Sequence, residues 1–298
     1  MNRLIALAAL TWSFSASCGA QQALVLQSDF GTRDGAVAAM KGVAVGVSPR
    51  IAFFDLTHEI PVYNIWEGAL RLVQTAEYWP AGTVFVSVVD PGVGTDRKSV
   101  VLRTKSGHYF VTPDNGTLTF VASRLGIDAV REIDEAVNRR KNSEKSYTFH
   151  GRDVYAYTGA RLAAGVITFE QVGRELPPRV VTIPYQQARY EEGTIEGNIP
   201  ILDIEYGNVW TNIDRSTFQK LNVTRGERVD VRITKGSVVI AELSVPYLAT
   251  FGEAAIGEPL LYINSVDNVS LAVNQGSFAE QHHVSSGPEW SIRISGKR

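Results

Sequence analysis

Three polar turns carry the residue types that could do chemistry. They are Ser28-Asp29-Phe30-Gly31-Thr32-Arg33-Asp34, Asp90-Pro91-Gly92-Val93-Gly94-Thr95-Asp96-Arg97 and Phe149-His150-Gly151-Arg152-Asp153. Each follows a run ending in apolar or aromatic residues. The middle one follows Thr83-Val84-Phe85-Val86-Ser87-Val88-Val89, which reads as a buried strand. In open α/β sheets, ligands sit in the crevice beyond the carboxyl ends of such strands. A carboxylate, a guanidinium and an imidazole (Asp90, Arg97 and His150) brought to one crevice suit the activation of a small polar molecule. The pattern points to an enzyme.

The elements that must position these turns alternate in type. Residues 23–27, 51–54, 83–89, 99–104 and 108–112 read as strands. Residues 34–47 place Val37, Met40, Val43 and Val47 on one helical stripe, and 65–78 do the same with Ile65, Ala69, Leu72, Val73 and Ala76 before Trp79-Pro80 stops the helix. A further helix is expected over 154–164. This alternation predicts βαβ units and a largely parallel sheet. The pattern changes near Leu176-Pro177-Pro178, and short strands follow over 195–205, 228–234, 237–243, 260–263 and 269–273. The expected organisation is an N-terminal α/β catalytic domain over 21–185 and a small all-β, barrel-like domain over 190–298, with a sandwich as the other form such strands take.

At 298 residues, 44% hydrophobic and 20% charged, the chain fits an ordinary globular protein with ample core. A net charge of −2 gives no basic excess, so nucleic acid and anionic membrane are not expected partners. The first twenty residues have a different character. One charge at Arg3, an apolar run over 4–14 and small residues over 15–20 form the layout of a signal peptide, too short to span a bilayer. Cleavage after Ala20 is expected, with Cys18 as an alternative lipid-attachment residue. The expected location is therefore outside the cytoplasm, periplasmic or secreted, with no membrane span.

Over 24–279 the chain resembles the adenosine-forming S-adenosylmethionine hydrolases, or SAM hydroxide adenosyltransferases, relatives of the SAM-dependent fluorinase and chlorinase. The resemblance rests on the three turns in order with Asp55-Leu56-Thr57-His58-Glu59-Ile60-Pro61, Pro113-Asp114-Asn115-Gly116, Asp203-Ile204-Glu205-Tyr206-Gly207-Asn208-Val209-Trp210-Thr211-Asn212-Ile213 and Asn264-Ser265. It implies an N-terminal α/β domain, a C-terminal β-barrel and a homotrimer with its site between subunits. It also implies that Asp90, Arg97 and His150 hold the attacking water. Asp29 would bind the ribose hydroxyls and Tyr63 would pack on the sugar. Asp34 and Asp203 would face the methionine ammonium, and Ser265 its carboxylate. Asn208 would read the adenine edge, and Phe251 would stack on the base. S-adenosylmethionine is then the substrate, and neither cofactor nor metal is expected. Ala36 and Val266 depart from the halogenase pattern, where a serine and an arginine stand near the amino-acid end.

The implied reaction is in-line displacement at ribose C5′. The sulfonium leaves as a neutral thioether, so the difficulty lies with the nucleophile. Arg97 would favour hydroxide character. His150 is an expected proton acceptor, with Asp90 orienting or charging the pair, and the sequence leaves open which member takes the proton. The acid at Asp90 and the missing insertion after it argue against a halide nucleophile, the second reading. A third is a non-catalytic nucleoside binder of the envelope. Other polar residues have plainer expectations: His58 braces a turn, Arg152 and Asp153 cap and charge the next helix, and Asp114-Asn115-Gly116 is a turn. Trp210 and Tyr206 belong to the barrel core, and His282-His283 holds no metal.

Overall fold

The computed structural model describes residues 23–296; the expected signal segment, with Cys18, lies outside them. The first half runs β1 (Ala23–Ser28), α1 (Ala36–Val47), β2 (Ala52–Thr57), α2 (Ile65–Ala76), β3 (Val84–Val88), β4 (Ser99–Thr104), β5 (Tyr109–Pro113), α3 (Thr119–Leu125), β6 (Ile127–Glu132), α4 (Glu135–Asn138), α5 (Tyr157–Ala163) and β7 (Glu175–Leu176). Its seven strands form one sheet in the order β2-β1-β3-β5-β4-β6-β7. The parallel character holds for β2, β1, β3 and β5, while β4, β6 and β7 join antiparallel. The reason is connection length: residues 105–108 allow only a hairpin between β4 and β5, because a parallel return needs a crossover of about a dozen residues.

Alternation along the strands divides the core into two layers. Leu24, Leu26, Val84, Val86 and Val88 pack with Met40 of α1 and Ala160 of α5, whereas Val25 and Phe85 pack with Leu72 of α2 and Val121 of α3. A strand buried on both faces must be apolar throughout, which is why β3 reads as a continuous run. At Gly159 a Cβ would stand 2.4 Å from Val86 Cγ2, so α5 lies on β3 at a distance that only glycine permits. Asn64 caps α2 by accepting from Glu67 N at 3.0 Å.

The second half contains β8 (Arg189–Glu191), β9 (Thr194–Asn198), β10 (Ile201–Asp203), β11 (Asn208–Asp214), α6 (Arg215–Gln219), β12 (Arg228–Lys235), β13 (Val238–Pro246), β14 (Pro259–Ile263), β15 (Asn268–Val273), α7 (Phe278–His282) and β16 (Trp290–Gly296). These strands pair antiparallel in two sheets, β10-β11-β15-β14 and β13-β12-β16-β9-β8, over one core containing Ile195, Val231, Leu271 and Phe278. The two sheets meet where Tyr247, just after β13, bridges Leu261 of β14. The expected strand over 195–205 is two strands, broken at Ile199-Pro200, because proline cannot donate to a ladder.

The segment between the halves is stitched down. Val181 N donates to Asp114 Oδ1 at 2.8 Å and Ile183 N to Thr119 Oγ1 at 2.9 Å. Across the junction, Trp66 Nε1 donates to the Pro200 carbonyl at 2.8 Å and Arg71 Nη2 to that of Leu202 at 3.0 Å. Ile201 is buried among N-terminal side chains.

Candidate active site

Just beyond β3 the expected carboxylate, guanidinium and imidazole are bonded to one another. Arg97 Nε donates to Asp90 Oδ1 at 3.0 Å while its Nη2 donates to Oδ2, a two-pronged ion pair with side chains only 10% and 5% exposed. The same Nη2 donates to His150 Nδ1 at 3.1 Å. Behind them, Arg97 Nη1 donates to Ser99 Oγ at 3.0 Å, and Ser99 Oγ lies 3.1 Å from the buried Tyr155 hydroxyl. Ser99 and Tyr155 therefore fix the guanidinium from the rear. Sequence reasoning missed both, since each reads as an ordinary member of its strand or helix.

The contact with Arg97 decides the tautomer of His150. A guanidinium can only donate, so Nδ1 accepts and the ring proton of neutral His150 sits on Nε2. Burial holds His150 below the usual histidine value; Glu135 opposes this, and the Arg97 and Arg139 charges reinforce it. Both the Arg97 contact and burial favour the neutral ring. Its Nε2 is buried without a hydrogen-bond partner among the described residues, an N–H reserved for an acceptor. The geometry makes His150 a donor at neutral pH, where the sequence suggested an acceptor.

The turns are held by specific contacts. Gly151 opens a π-helical turn, Gly151–Ala156, a form frequent at functional sites. A Cβ on Gly151 would lie 3.0 Å from the Phe30 ring and 3.2 Å from Val88 Cγ1, so glycine lets this turn close on the first. Asn115 Nδ2 donates to Val89 O at 2.9 Å, which pins the exit of β3 and accounts for the Asp-Asn-Gly turn. His58 braces the first turn as expected. Its Nδ1 lies 2.7 Å from Ser28 Oγ, its Nε2 lies 3.2 Å from Asp55 Oδ1, and its carbonyl accepts from Gly31 N at 2.7 Å.

The braced turn presents Asp29, whose Oδ2 accepts from Tyr63 N at 2.9 Å. Tyr63 has φ of 67° and is 68% exposed. A bulky residue in the left-handed region costs on the order of 1 kcal/mol or more, and such strain gathers at functional sites. Asp34 is exposed and accepts from Ala36 N at 2.9 Å.

The remaining candidates gather in the second half. Asp203, Asn208, Phe251 and Ser265 line one cavity of about 730 Å³, and Asn208 Nδ2 donates to Asp203 Oδ2 at 3.2 Å. Tyr206, Trp210 and Tyr262 also line it. Tyr206 is 70% exposed, which corrects its expected place in the core: it sits in the tight turn between β10 and β11, whose side chains point outward. Trp210 is half-buried at the cavity wall. None of Asp29, Tyr63, Asp90, Arg97 or His150 lines this cavity. Asp153 is also not the expected helix cap. It is fully buried and pairs with Arg140 and Arg152.

Residues 24–173 match the family described as the SAM hydroxide adenosyltransferase N-terminal domain, and residues 197–291 match the corresponding C-terminal domain. The chain is 34% identical to the (R)-S-adenosyl-L-methionine hydrolase of Salinispora tropica, over 87% of this chain and 93% of that one. It is 30% identical to a fluorinase of Actinopolyspora mzabensis, over 91% and 96%. Among solved structures, an uncharacterized conserved protein from Thermotoga maritima superposes with a TM-score of 0.84 at 34% identity, covering 91% of this chain and 99% of that one.

Proposed function

The chain belongs to the SAM hydroxide adenosyltransferase family, and we propose that it hydrolyses S-adenosyl-L-methionine to adenosine and methionine. The observation that carries this reading is the buried Asp90–Arg97 pair with His150 attached through Nδ1. Water needs an acceptor for one hydrogen and a fixed position in line with the C5′–S bond. Asp90 keeps unused lone pairs beyond those bound to Arg97, and His150 Nε2–H can donate to the water oxygen. As the O–C5′ bond forms and the C5′–S bond breaks, sulfur keeps the bonding pair as a neutral thioether. The water proton passes to Asp90 and then to solvent. Neither metal nor cofactor enters this reaction. Positioning alone supplies as much as about 7–11 kcal/mol of such a barrier.

The same ion pair disfavours a halide nucleophile, because Asp90 places a negative charge where a halide would sit and already engages Arg97. On the substrate side, Asp29 and Tyr63 receive the ribose. Asn208 and Phe251 take the adenine, while Asp203, Asp34 and Ser265 take the amino-acid end. Because Asp29, Tyr63, Asp90, Arg97 and His150 do not line the cavity that holds Asn208 and Phe251, we infer that the working site forms between copies in a homotrimer. Supporting this, Val62, Tyr63, Ile204, Tyr206 and Phe251 leave large apolar surfaces exposed beside both groups. We also infer export directed by residues 1–20, which cell fractionation checks.

The test is to incubate the protein from Gln21 onward with S-adenosylmethionine in chloride buffer and separate the products. Adenosine with methionine is expected; 5′-chloroadenosine, or binding without turnover, overturns the reading. Mixing the inactive His150→Ala and Asn208→Ala proteins should restore part of the activity. Failure of such mixed oligomers to recover would sink the intersubunit site.

A further inference from the structure

A second cavity, of about 730 Å³, lies between α1 and α5, and none of the residues assigned above to the reaction lines it. Three arginines, Arg140, Arg152 and Arg161, reach it, and its lining contains no carboxylate. We propose that this groove binds a phosphorylated small molecule.

The charge balance favours an anion. Asp153, fully buried beneath the groove, accepts from Arg140 Nε at 2.9 Å and from Arg152 Nε and Nη2 at 2.8 and 2.7 Å. One carboxylate against three guanidinium groups leaves two positive charges facing the opening. The forks are also fixed in advance. Arg152 lies over the Phe149 ring at 4.8 Å, and Arg161 Nη1 donates to Val137 O and Asn138 Oδ1, both at 2.7 Å. Side chains already held in place lose little freedom when a ligand arrives. Among the described residues, these bonds leave both terminal nitrogens of Arg140 and Nη1 of Arg152 for another acceptor. Three converging planar donors with a surplus of two charges suit a dianionic phosphate better than a single carboxylate.

The rest of the lining sets the ligand class. Val43 and Val47 of α1, with Val166 just after α5, supply the apolar part of the lining, and the volume falls in the range of small-molecule sites. A phosphate ester with an uncharged organic portion satisfies both parts. A membrane headgroup would share the phosphate chemistry, but membrane-binding segments draw on clusters of about four to eight basic residues, and this groove has three.

Gly42 gives a test that spares the arginines. It lies within α1, lines the groove, and has nothing within 4 Å of the position a Cβ would take. Alanine or glutamate there should fold, both being better helix formers than glycine. Pyrophosphate titrated calorimetrically into the full chain should bind saturably to the wild type and to Gly42→Ala. Gly42→Glu and Arg161→Gln should bind about tenfold more weakly or worse. Circular dichroism confirms that each variant is folded. No saturable binding, or equal binding by Gly42→Ala and Gly42→Glu, overturns the proposal. So does capture of the wild type by phosphatidic acid vesicles when pyrophosphate does not bind.

Discussion

The two groups of candidate residues are built on opposite principles. Around Asp90 every polar group but one has a partner, and the side chains are almost wholly enclosed. Around Asn208 the cavity is open, Phe251 is 43% exposed, and among the described residues the candidates share a single bond, Asn208 to Asp203. Enclosure fixes charges where a reaction would develop them and keeps their field strong. Openness leaves donors, acceptors and rings available to a ligand. The first region is organised before anything binds, and the second is completed by what binds.

The largest expected effect comes from breaking the enclosed side. Asp90→Asn should lower kcat by about 10²–10⁴-fold with KM little changed, and should cost about 3–5 kcal/mol of stability by leaving Arg97 buried without its counter-ion. Steady-state kinetics and thermal melting read both, and a wild-type kcat would remove Asp90 from the chemistry. Ser99→Ala should cost about 1–3 kcal/mol and reduce kcat, because Arg97 Nη1 and the Tyr155 hydroxyl lose a shared partner. On the open side Phe251→Ala should instead raise KM about tenfold or more through lost base stacking, with melting temperature unchanged. A matching fall in stability would mean that the contrast between the regions is false.

The pH response sharpens the contrast further. His150 has its folded-state value depressed below the ordinary 6.5. The unfolded chain therefore binds a proton first on acidification, so stability declines as pH drops below about 6.5 towards the folded-state value. Activity should fall over the same acid limb, since protonation at Nδ1 displaces Arg97. His150→Gln should remove the acid limb of the rate profile between pH 4 and 8 but only shrink that of the melting profile, because burial also holds His58 and His282 below the ordinary value. The smallest effect is expected at Tyr63→Gly. Relief of the left-handed strain should leave stability within about 1 kcal/mol of wild type, while KM rises severalfold.

The enclosed side was legible in the sequence because Asp90 follows the end of β3, Arg97 stands just before β4, and His150 lies in a polar Phe-His-Gly-Arg-Asp turn, so residue type and local pattern mark all three. Ser99 and Tyr155 were not, since a serine opening a strand and a tyrosine in an apolar helix carry no such mark. Asp153 lies in the first turn of the helical segment, as an acid at a helix start should, but it caps nothing, and only the fold brings Arg140 to it. The antiparallel half of the sheet could have been read from the short 105–108 connection. Tyr206 was placed in the core on its aromatic character, but its position in the turn decides otherwise. The separation of the two groups depends on how the halves dock, which no local pattern encodes.

That docking has a consequence for modularity. Trp66 and Arg71 grip backbone oxygens of the second half, Ile201 sits in the first half's core, and the proline-bearing connector is bonded along its length. The chain carries three sheets in two halves, and these contacts tie the halves to each other. Neither half is an exchangeable cassette: cut apart near residue 185, the first would display a raw seam around Trp66 and Phe120 and aggregate. Opening the enclosed charges by parting the halves would break the Trp66 and Arg71 bonds and expose Ile201, a cost that movement of the surrounding loops alone does not carry.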